Sequence, residues 1–169
     1  MEISTTHIKE LRDKTSAGVM ECKRALQQAE GNIDRACDLL REQGLARAEK
    51  KADRVASQGA VEVYVHGGGR IGSMVELNCE TDFVARTDEF KALVHDLALQ
   101  VAATDPRFIS SAEIPEVEKE KVHPEEVCLL AQPFIKDPSR KISDIVADVS
   151  AKMGEKVAVR RFARFELGK

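Results

Sequence analysis

The feature that most constrains this chain is an abrupt change of hydrophobic period near residue 80. Apolar and polar residues alternate over 71–79, which predicts a half-buried strand. Further along, apolar residues follow helical spacing at Phe90, Leu93, Val94, Leu97, Ala98, Val101 and Ala102. Thr87 is suited to cap that helix. The chain must therefore turn from strand to helix within a few residues, and Phe83 lies in that connection without fitting either pattern.

The N-terminal part of the chain predicts three short helices. The first ends near Lys14, the second ends at Gly31, and the third begins at the capping residue Asn32 and ends before Gly44. The second helix is expected to direct these residues inward: Val19, Cys22, Leu26 and Ala29. An Ala-, Lys- and Arg-rich segment over 45–57 follows as a solvated helix or linker. We expect a small bundle with a thin core.

The rest of the chain predicts a β-hairpin over 60–79, with the glycines at 67–69 supplying the positive φ angles of its turn. Further elements are expected as helices over 88–103 and 142–153, and as strands over 128–135 and 157–166. Residues 113–126 are rich in acids and hold two prolines, which indicates a solvated loop. The sequence thus predicts an α+β fold. A helical bundle and linker occupy 1–55, and a small antiparallel sheet packed with helices occupies 56–169.

Composition limits the partners that this chain can bind. The formal net charge is −3, so a global basic field for nucleic acid is absent. Aromatic residues make up only 4% and there is no Trp, which argues against a stacking surface for single strands. Apolar runs stay shorter than the ~18 residues of a membrane span, and the N-terminus does not resemble a secretion signal. We expect a cytoplasmic protein that binds neither nucleic acid nor membrane.

Residues with catalytic or metal-binding chemistry form no recognisable group in the sequence. The histidines are scattered along the chain, at His7, His66, His95 and His123. The cysteines lack the C-x-x-C spacing of a zinc site, which favours buried, reduced thiols: Cys22, Cys37, Cys79 and Cys128. Glycines at 67, 69 and 72 formally match a dinucleotide fingerprint, but Ile71 opens a strand where that motif requires a helix. We therefore expect no enzyme activity, no catalytic residue, no metal and no cofactor.

Two motifs resemble the signatures of the translation elongation factor Ts family. The first is LRDKTSAGVMECKRAL at residues 11–26, and the second is NCETDFVA at residues 78–85, within the strand-to-helix connection. Residues 132–134 (QPF) and 161–168 (RFARFELG) also resemble the family. The resemblance covers nearly the whole chain and is weakest over 110–128. Longer members carry an additional helical segment there, which we expect this chain to lack.

The resemblance implies a guanine-nucleotide exchange factor that binds elongation factor Tu with GDP and promotes GDP release. It implies an N-terminal bundle like the ubiquitin-associated (UBA) domain. In that bundle, partner contacts are expected at Arg12, Val19, Met20 and Lys23. Beyond the bundle, the expected contacts are His66, Thr81, Asp82, Phe83 and Val84, with the Phe83 ring acting as a wedge. Ser16 stands where the family usually has Gly, and Val19 where it often has Met, and neither change is expected to forbid docking.

The resemblance also implies a homodimer. Longer members contain two similar sheet-and-helix halves, whereas this chain has one, so a sheet edge or helix face is left for a second copy to cover. Other interpretations stay open. Phe83 could be an ordinary core residue, because most Phe side chains are buried. The chain could be an enzyme, or a UBA-like adaptor in which residues 1–55 alone bind the partner.

Overall fold

The computed structural model describes residues 4–15, 17–51 and 53–169, with the side chains of residues 45–50 left outside the description. Ser16, which stands where the family usually has Gly, lies outside the described residues. The predicted α+β fold is confirmed within these ranges.

The structure adds short elements to those that hydrophobic periodicity predicts. The helices are α1 (Thr5–Thr15), α2 (Val19–Gln28), α3 (Ile33–Lys50), α4 (Asp82–Ala85), α5 (Asp88–Thr104), α6 (Pro124–Val127) and α7 (Ile142–Met153). The strands are β1 (Gln58–His66), β2 (Ile71–Cys79), β3 (Pro133–Phe134), β4 (Asp137–Lys141) and β5 (Ala158–Glu166). Short 3₁₀ turns occupy Ser111–Glu113 and Leu129–Ala131. None of the described helices is both long enough and apolar enough to cross a membrane.

Helices α1, α2 and α3 form the predicted N-terminal bundle. Their fully or almost fully buried residues are Leu11, Cys22, Ala25, Leu26, Ala29 and Ala36. The capping prediction for Asn32 is confirmed, since its Oδ1 accepts a hydrogen bond of 2.9 Å from the amide of Arg35. Helix α2 ends at Gln28, before the predicted end at Gly31, and the chain leaves it through positive φ angles at Glu30 (54°) and Gly31 (85°).

Two predictions about the bundle are wrong. Val19 does not face inward but is 49% exposed, because it is the first residue of α2 and precedes the turn that enters the core. Helix α3 does not end before Gly44 but continues to Lys50. Gly44 keeps an ordinary negative φ, and the Ala-, Glu- and Lys-rich residues after it are strong helix formers.

A three-stranded antiparallel sheet in the order β1-β2-β5 forms the centre of the second part. The predicted hairpin joins β1 to β2, and Gly67, Gly68 and Gly69 take positive φ angles of 60°, 66° and 93°. In register, Val63 of β1 lies opposite Met74 of β2, which lies opposite Ala163 of β5. Side chains alternate across this sheet, so one face packs against helices and the other faces outward.

Helices α5 and α7 supply the core on the inner face. Thr87 caps α5 as predicted, its Oγ1 accepting a 3.3 Å hydrogen bond from the Phe90 amide. Around these helices the buried cluster includes Val75, Leu77, Phe90, Val94, Leu97, Val101, Leu129, Ile142 and Val146.

The strand predicted over 128–135 is wrong. Cys128 forms an isolated parallel bridge with Phe108, Leu129–Ala131 forms a 3₁₀ turn, and Pro133–Phe134 pairs with β4. A buried glutamine explains the difference: Gln100 Oε1 accepts from the Ile135 amide at 3.0 Å, and its Nε2 donates to the Pro133 carbonyl at 3.1 Å. A side-chain amide thus takes the backbone hydrogen bonds that a neighbouring strand would otherwise make.

The bundle and the sheet domain meet along α3 and α7. Arg41 Nε lies 3.8 Å from Asp144 Oδ2, and Lys51 Nζ donates a 2.9 Å hydrogen bond to the Ser150 carbonyl. A division of the chain near residue 55 stays a prediction. It falls in the segment that joins α3 to β1.

Candidate functional site

The connection between β2 and α5 contains one helical turn, α4, and we call residues 80–85 the Phe83 turn. Thr81 is its N-cap, with Oγ1 accepting from the Val84 amide at 3.5 Å. Asp82 begins the turn, where a negative charge suits the positive end of the helix, and its Oδ2 lies 2.8 Å from Arg86 Nη2. The connection is therefore an ordered turn with its own cap.

Phe83 projects from this turn into solvent. Its side chain is 79% exposed, so the interpretation of Phe83 as a core residue is wrong for this chain. Val84, also predicted as a contact, is buried in the core cluster. Thr81 is half-buried, and its hydroxyl accepts from the Val84 amide within the turn and donates to the Glu155 carboxylate. Phe83 and Asp82 thus offer the accessible groups, whereas Thr81 and Val84 fix the turn to the domain.

The second predicted group of contacts lies at the beginning of α2. Met20 is 65% exposed, and the basic residues Arg12 and Lys23 are also exposed. Gly18 precedes this helix, and its amide donates a 3.2 Å hydrogen bond to the Glu21 carboxylate. Apolar and cationic groups therefore share this part of the bundle surface. Arg12 also lines a cleft of about 490 Å³ between the bundle and α7.

His66, at the end of β1, belongs to an exposed aromatic group. Tyr64 Oη and His66 Nδ1 are 3.2 Å apart and the two rings stack with centroids 6.1 Å apart. Tyr64 also meets His95 edge to face at 5.9 Å, and His95 Nδ1 lies 3.0 Å from Glu62 Oε1. Sequence reasoning missed this group, although the period of two along β1 puts residues 62, 64 and 66 on one face.

Glu155, which sequence reasoning also missed, lies directly against the Phe83 turn. Its Oε2 accepts hydrogen bonds from the amides of Glu80 at 3.1 Å and Thr81 at 3.0 Å. Its Oε1 accepts from Thr81 Oγ1 at 2.6 Å. A second contact comes from β2, where Cys79 Sγ donates to the Thr81 carbonyl at 3.1 Å. The backbone before Phe83 is consequently held from two directions.

The Glu80 carboxylate adds a further connection at the same place. Its Oε1 accepts from the Lys156 amide at 2.6 Å and lies 3.2 Å from Arg54 Nη1. The Lys156 amide, and then Arg54, hold the pKa of Glu80 below its usual value of 4.5. The Phe83 turn is thereby tied both to the start of β5 and to the segment that follows α3.

The outer face of the sheet is apolar and exposed. Its side chains, which we call the open sheet face, are Val61, Val63, Val65, Met74, Ala163 and Phe165. At one end, Arg161 Nε lies 2.6 Å from Glu76 Oε2. A contiguous apolar surface of this kind is typical of an interaction site.

Metal and thiol chemistry have little support in the part of the chain that the structure describes. No group of three His, Cys, Asp or Glu residues there could hold a metal ion. All the cysteines are free, and burial raises the pKa of each thiol: Cys22, Cys37, Cys79 and Cys128. A raised pKa keeps a thiol protonated and unreactive, which agrees with the predicted reduced state.

Comparison with known proteins identifies close relatives. The family model described as Elongation factor TS matches residues 5–125 and 120–169. Elongation factor Ts of Desulfitobacterium hafniense is 48% identical over 195 positions, covering 99% of this chain and 90% of the relative. Elongation factor Ts of Herpetosiphon aurantiacus is 47% identical over 196 positions, covering 99% of each chain.

The two matches to the family model meet at residues 120–125. The alignment to the Desulfitobacterium protein is longer than the 169 residues of this chain, so the relative holds residues with no counterpart here. The overlap of the two matches lies within the region where the sequence predicts a missing segment, and the place of the additional residues in the relative stays a prediction. Because the family model covers nearly the whole chain and the relatives are almost half identical to it, this chain belongs to the elongation factor Ts family of translation elongation factors.

Proposed function

We propose that this chain is a guanine-nucleotide exchange factor that binds elongation factor Tu with GDP and promotes GDP release in the cytoplasm. The observation that carries the proposal is the Phe83 ring, which is held out in solvent by an ordered turn. A large exposed apolar side chain on a fixed backbone is suited to enter a pocket of a partner. Membership of the elongation factor Ts family supports this choice of partner.

The Phe83 ring can act as a wedge without covalent chemistry. Removing an aromatic ring from water contributes roughly 1.5–3 kcal/mol when the ring enters an apolar pocket. If the pocket is open only in a nucleotide-poor form of the GTPase, that free energy favours the form that releases GDP. Linkage then requires GDP to weaken binding of the factor by the same ratio as the factor weakens binding of GDP. Rebinding of GTP displaces the factor, and neither a cofactor nor a catalytic residue of this chain takes part.

The bundle provides the second contact with the GTPase. Met20 is flexible and polarisable, so it adapts to an apolar partner surface, and Val19 extends the same apolar area. Arg12 and Lys23 add positive charge that can pair with acidic groups of the partner. Asp82 adds a carboxylate beside Phe83, whereas His66 lies at the opposite end of the hairpin, where it pairs with Ile71, and offers a separate polar contact.

We propose that two copies of this chain form a homodimer through the open sheet face. Its six side chains are apolar and belong to three adjacent strands, so a second copy of the same surface can pack against it face to face. A two-fold axis would pair each surface with itself, which is the usual arrangement in homodimers. Such a dimer would remove the exposed valines of β1 from water.

The direct test is release of a fluorescent GDP analogue from purified elongation factor Tu, measured with and without this protein. We expect the release rate to rise with factor concentration and then to saturate. Binding to the GTPase without faster release would favour the adaptor interpretation. If this protein neither binds the GTPase nor speeds GDP release, the proposed function is overturned.

A further inference from the structure

We propose that Glu155 is the positioning residue of the Phe83 turn: its carboxylate holds residues 80 and 81 so that the Phe83 ring is presented in one orientation. The proposal rests on the exchange function proposed above. Glu155 lies 74 residues beyond Thr81 in the sequence, and it does not touch Phe83 or the partner in this role. Glu155 restricts the ring already in the free protein, so that the ring loses less conformational entropy when it binds the partner.

The carboxylate of Glu155 is used at both oxygens. Oε2 receives two consecutive backbone amides, those of Glu80 and Thr81, and Oε1 receives the Thr81 hydroxyl. Hydrogen bonds to a carboxylate are shorter and stronger than those between neutral groups. Three such bonds from two adjacent residues fix the direction in which the chain enters the turn.

The turn itself is too short to hold its shape alone. Helix α4 has four residues, far fewer than an isolated helix needs in water. Its cap is the Thr81 hydroxyl, which accepts from the Val84 amide while donating to Glu155. Glu155 therefore orients the capping group. Together with buried Val84, it anchors the turn on both sides of Phe83.

Glu155 is in turn fixed by its own surroundings. It follows Gly154, which ends α7 in a left-handed conformation with φ 72°. The Glu155 carbonyl accepts from Ser150 Oγ at 2.6 Å and from Lys51 Nζ at 3.4 Å. Lys51 belongs to the segment that follows α3, so the end of α7 connects the bundle side of the molecule to the Phe83 turn. A residue held this firmly can impose a geometry on its neighbour.

The test compares Glu155→Ala and Glu155→Gln with the full-length parent protein in the GDP-release assay. The alanine variant should lower the release rate at saturating factor by on the order of tenfold, because the turn samples orientations in which the ring cannot insert. The glutamine variant should retain part of the rate, since its amide oxygen replaces only one carboxylate oxygen. The concentration for half-saturation should change less than the rate, because the bundle contacts are intact.

A matched control is Glu113→Gln. Glu113 Oε2 also accepts a backbone amide, that of Ile109 at 2.9 Å, but in the 3₁₀ turn Ser111–Glu113 that follows α5. This variant should leave the release rate unchanged. Thermal unfolding of each variant reports whether a lower rate reflects a lower folded fraction, and rates are compared per folded molecule.

A double-mutant cycle with Phe83→Ala decides whether Glu155 acts through the ring. In the Phe83→Ala background, loss of Glu155 should have almost no further effect on the release rate. Fully additive effects would overturn the positioning role, as would an unchanged rate in Glu155→Ala.

Amide hydrogen exchange of the free protein tests the same proposal without the GTPase. Glu155→Gln should speed exchange at residues 80–85, whereas Glu113→Gln should not. Unchanged protection at residues 80–85 would overturn the positioning role. Failure of the parent protein to release GDP would overturn the exchange function instead, so the two failures are distinguishable.

Discussion

Phe83 and Val84 are neighbours in the sequence, but their side chains lie on opposite sides of the Phe83 turn, 79% and 8% exposed respectively. Val84 packs into the core and Phe83 reaches solvent. Val84 contributes to the core, and Phe83 is the residue proposed to contact the partner. Substituting each residue in turn should therefore separate folding stability from partner binding.

Phe83→Ala should leave the melting temperature nearly unchanged and slow GDP release markedly. The exposed ring contributes little to the folded state, whereas its loss from the complex removes roughly 1.5–3 kcal/mol, or about tenfold to a hundredfold in rate. Thermal unfolding and GDP release at saturating factor are the two measurements. A large loss of stability with normal release per folded molecule would contradict the wedge.

Val84→Ala should have the opposite pattern. Truncation of this buried side chain is expected to cost roughly 2 kcal/mol of unfolding free energy, through lost burial and a small cavity. The control is Val117→Ala, because Val117 is 76% exposed and its truncation should be almost neutral. Urea unfolding of both variants measures the difference. Equal stabilities would show that Val84 does not anchor the turn.

Val63→Glu should convert the proposed homodimer into a monomer. Val63 lies in the middle of the edge strand β1, on the open sheet face and opposite Met74, so a second copy would have to bury the new carboxylate against apolar groups. In the free protein the new side chain remains in solvent, and the fold should persist. Sedimentation at tens of micromolar (on the order of assay stocks) measures the mass, with Val117→Glu as the control. A monomeric parent protein with full activity would refute the dimer.

Gly59→Ala should destabilise the hairpin severely. Gly59 has φ 150°, and a Cβ atom there would lie 2.1 Å from the Leu77 carbonyl oxygen. The backbone of β2 would have to move, at an expected cost of roughly 3 kcal/mol or more. Gly72→Ala is the control, since Gly72 does not have a positive φ and an added Cβ there meets no atom within 4 Å. Similar unfolding free energies for the two variants would contradict this explanation of Gly59.

Acid should weaken the contacts by which the Glu80 carboxylate attaches the Phe83 turn to Lys156 and Arg54. The folded state holds the pKa of Glu80 below 4.5, so the stability from its contacts is present above that pH and is lost as the pH falls through the folded value. Glu80→Gln should therefore lose less stability than the parent protein between neutral pH and about pH 3. Urea unfolding at both pH values measures this. An identical acid loss in the two proteins would exclude Glu80 as a contributor.

Periodicity along the chain was enough to predict the three bundle helices, the hairpin, α5, α7 and β5. These elements each have one buried side, so the apolar spacing records their geometry directly. The prediction over 128–135 was wrong because a buried amide from Gln100 replaces a strand partner there. No local pattern reveals a hydrogen bond between residues so distant in the sequence.

The candidate site was predicted unevenly for the same reason. Phe83 was identified because it breaks two periodic patterns and lies within a family motif. Glu155 was not, because an acidic residue after a helix-ending glycine is ordinary in a sequence. Only the folded chain brings it within 3.1 Å of the Glu80 amide.

Helix α3 runs without a break from the bundle to Lys50 and spans 18 residues, or about 27 Å at 1.5 Å per residue. A continuous helix is a stiff spacer and not a flexible tether. In the proposed complex, docking of the bundle would therefore offer the Phe83 ring to the GTPase at an effective concentration that geometry fixes, and insertion of the ring would be an intramolecular event. In that complex, the stiffness of α3 would favour rapid rebinding after either the bundle or the Phe83 ring dissociates. Complete dissociation would then require both surfaces to be free at the same time.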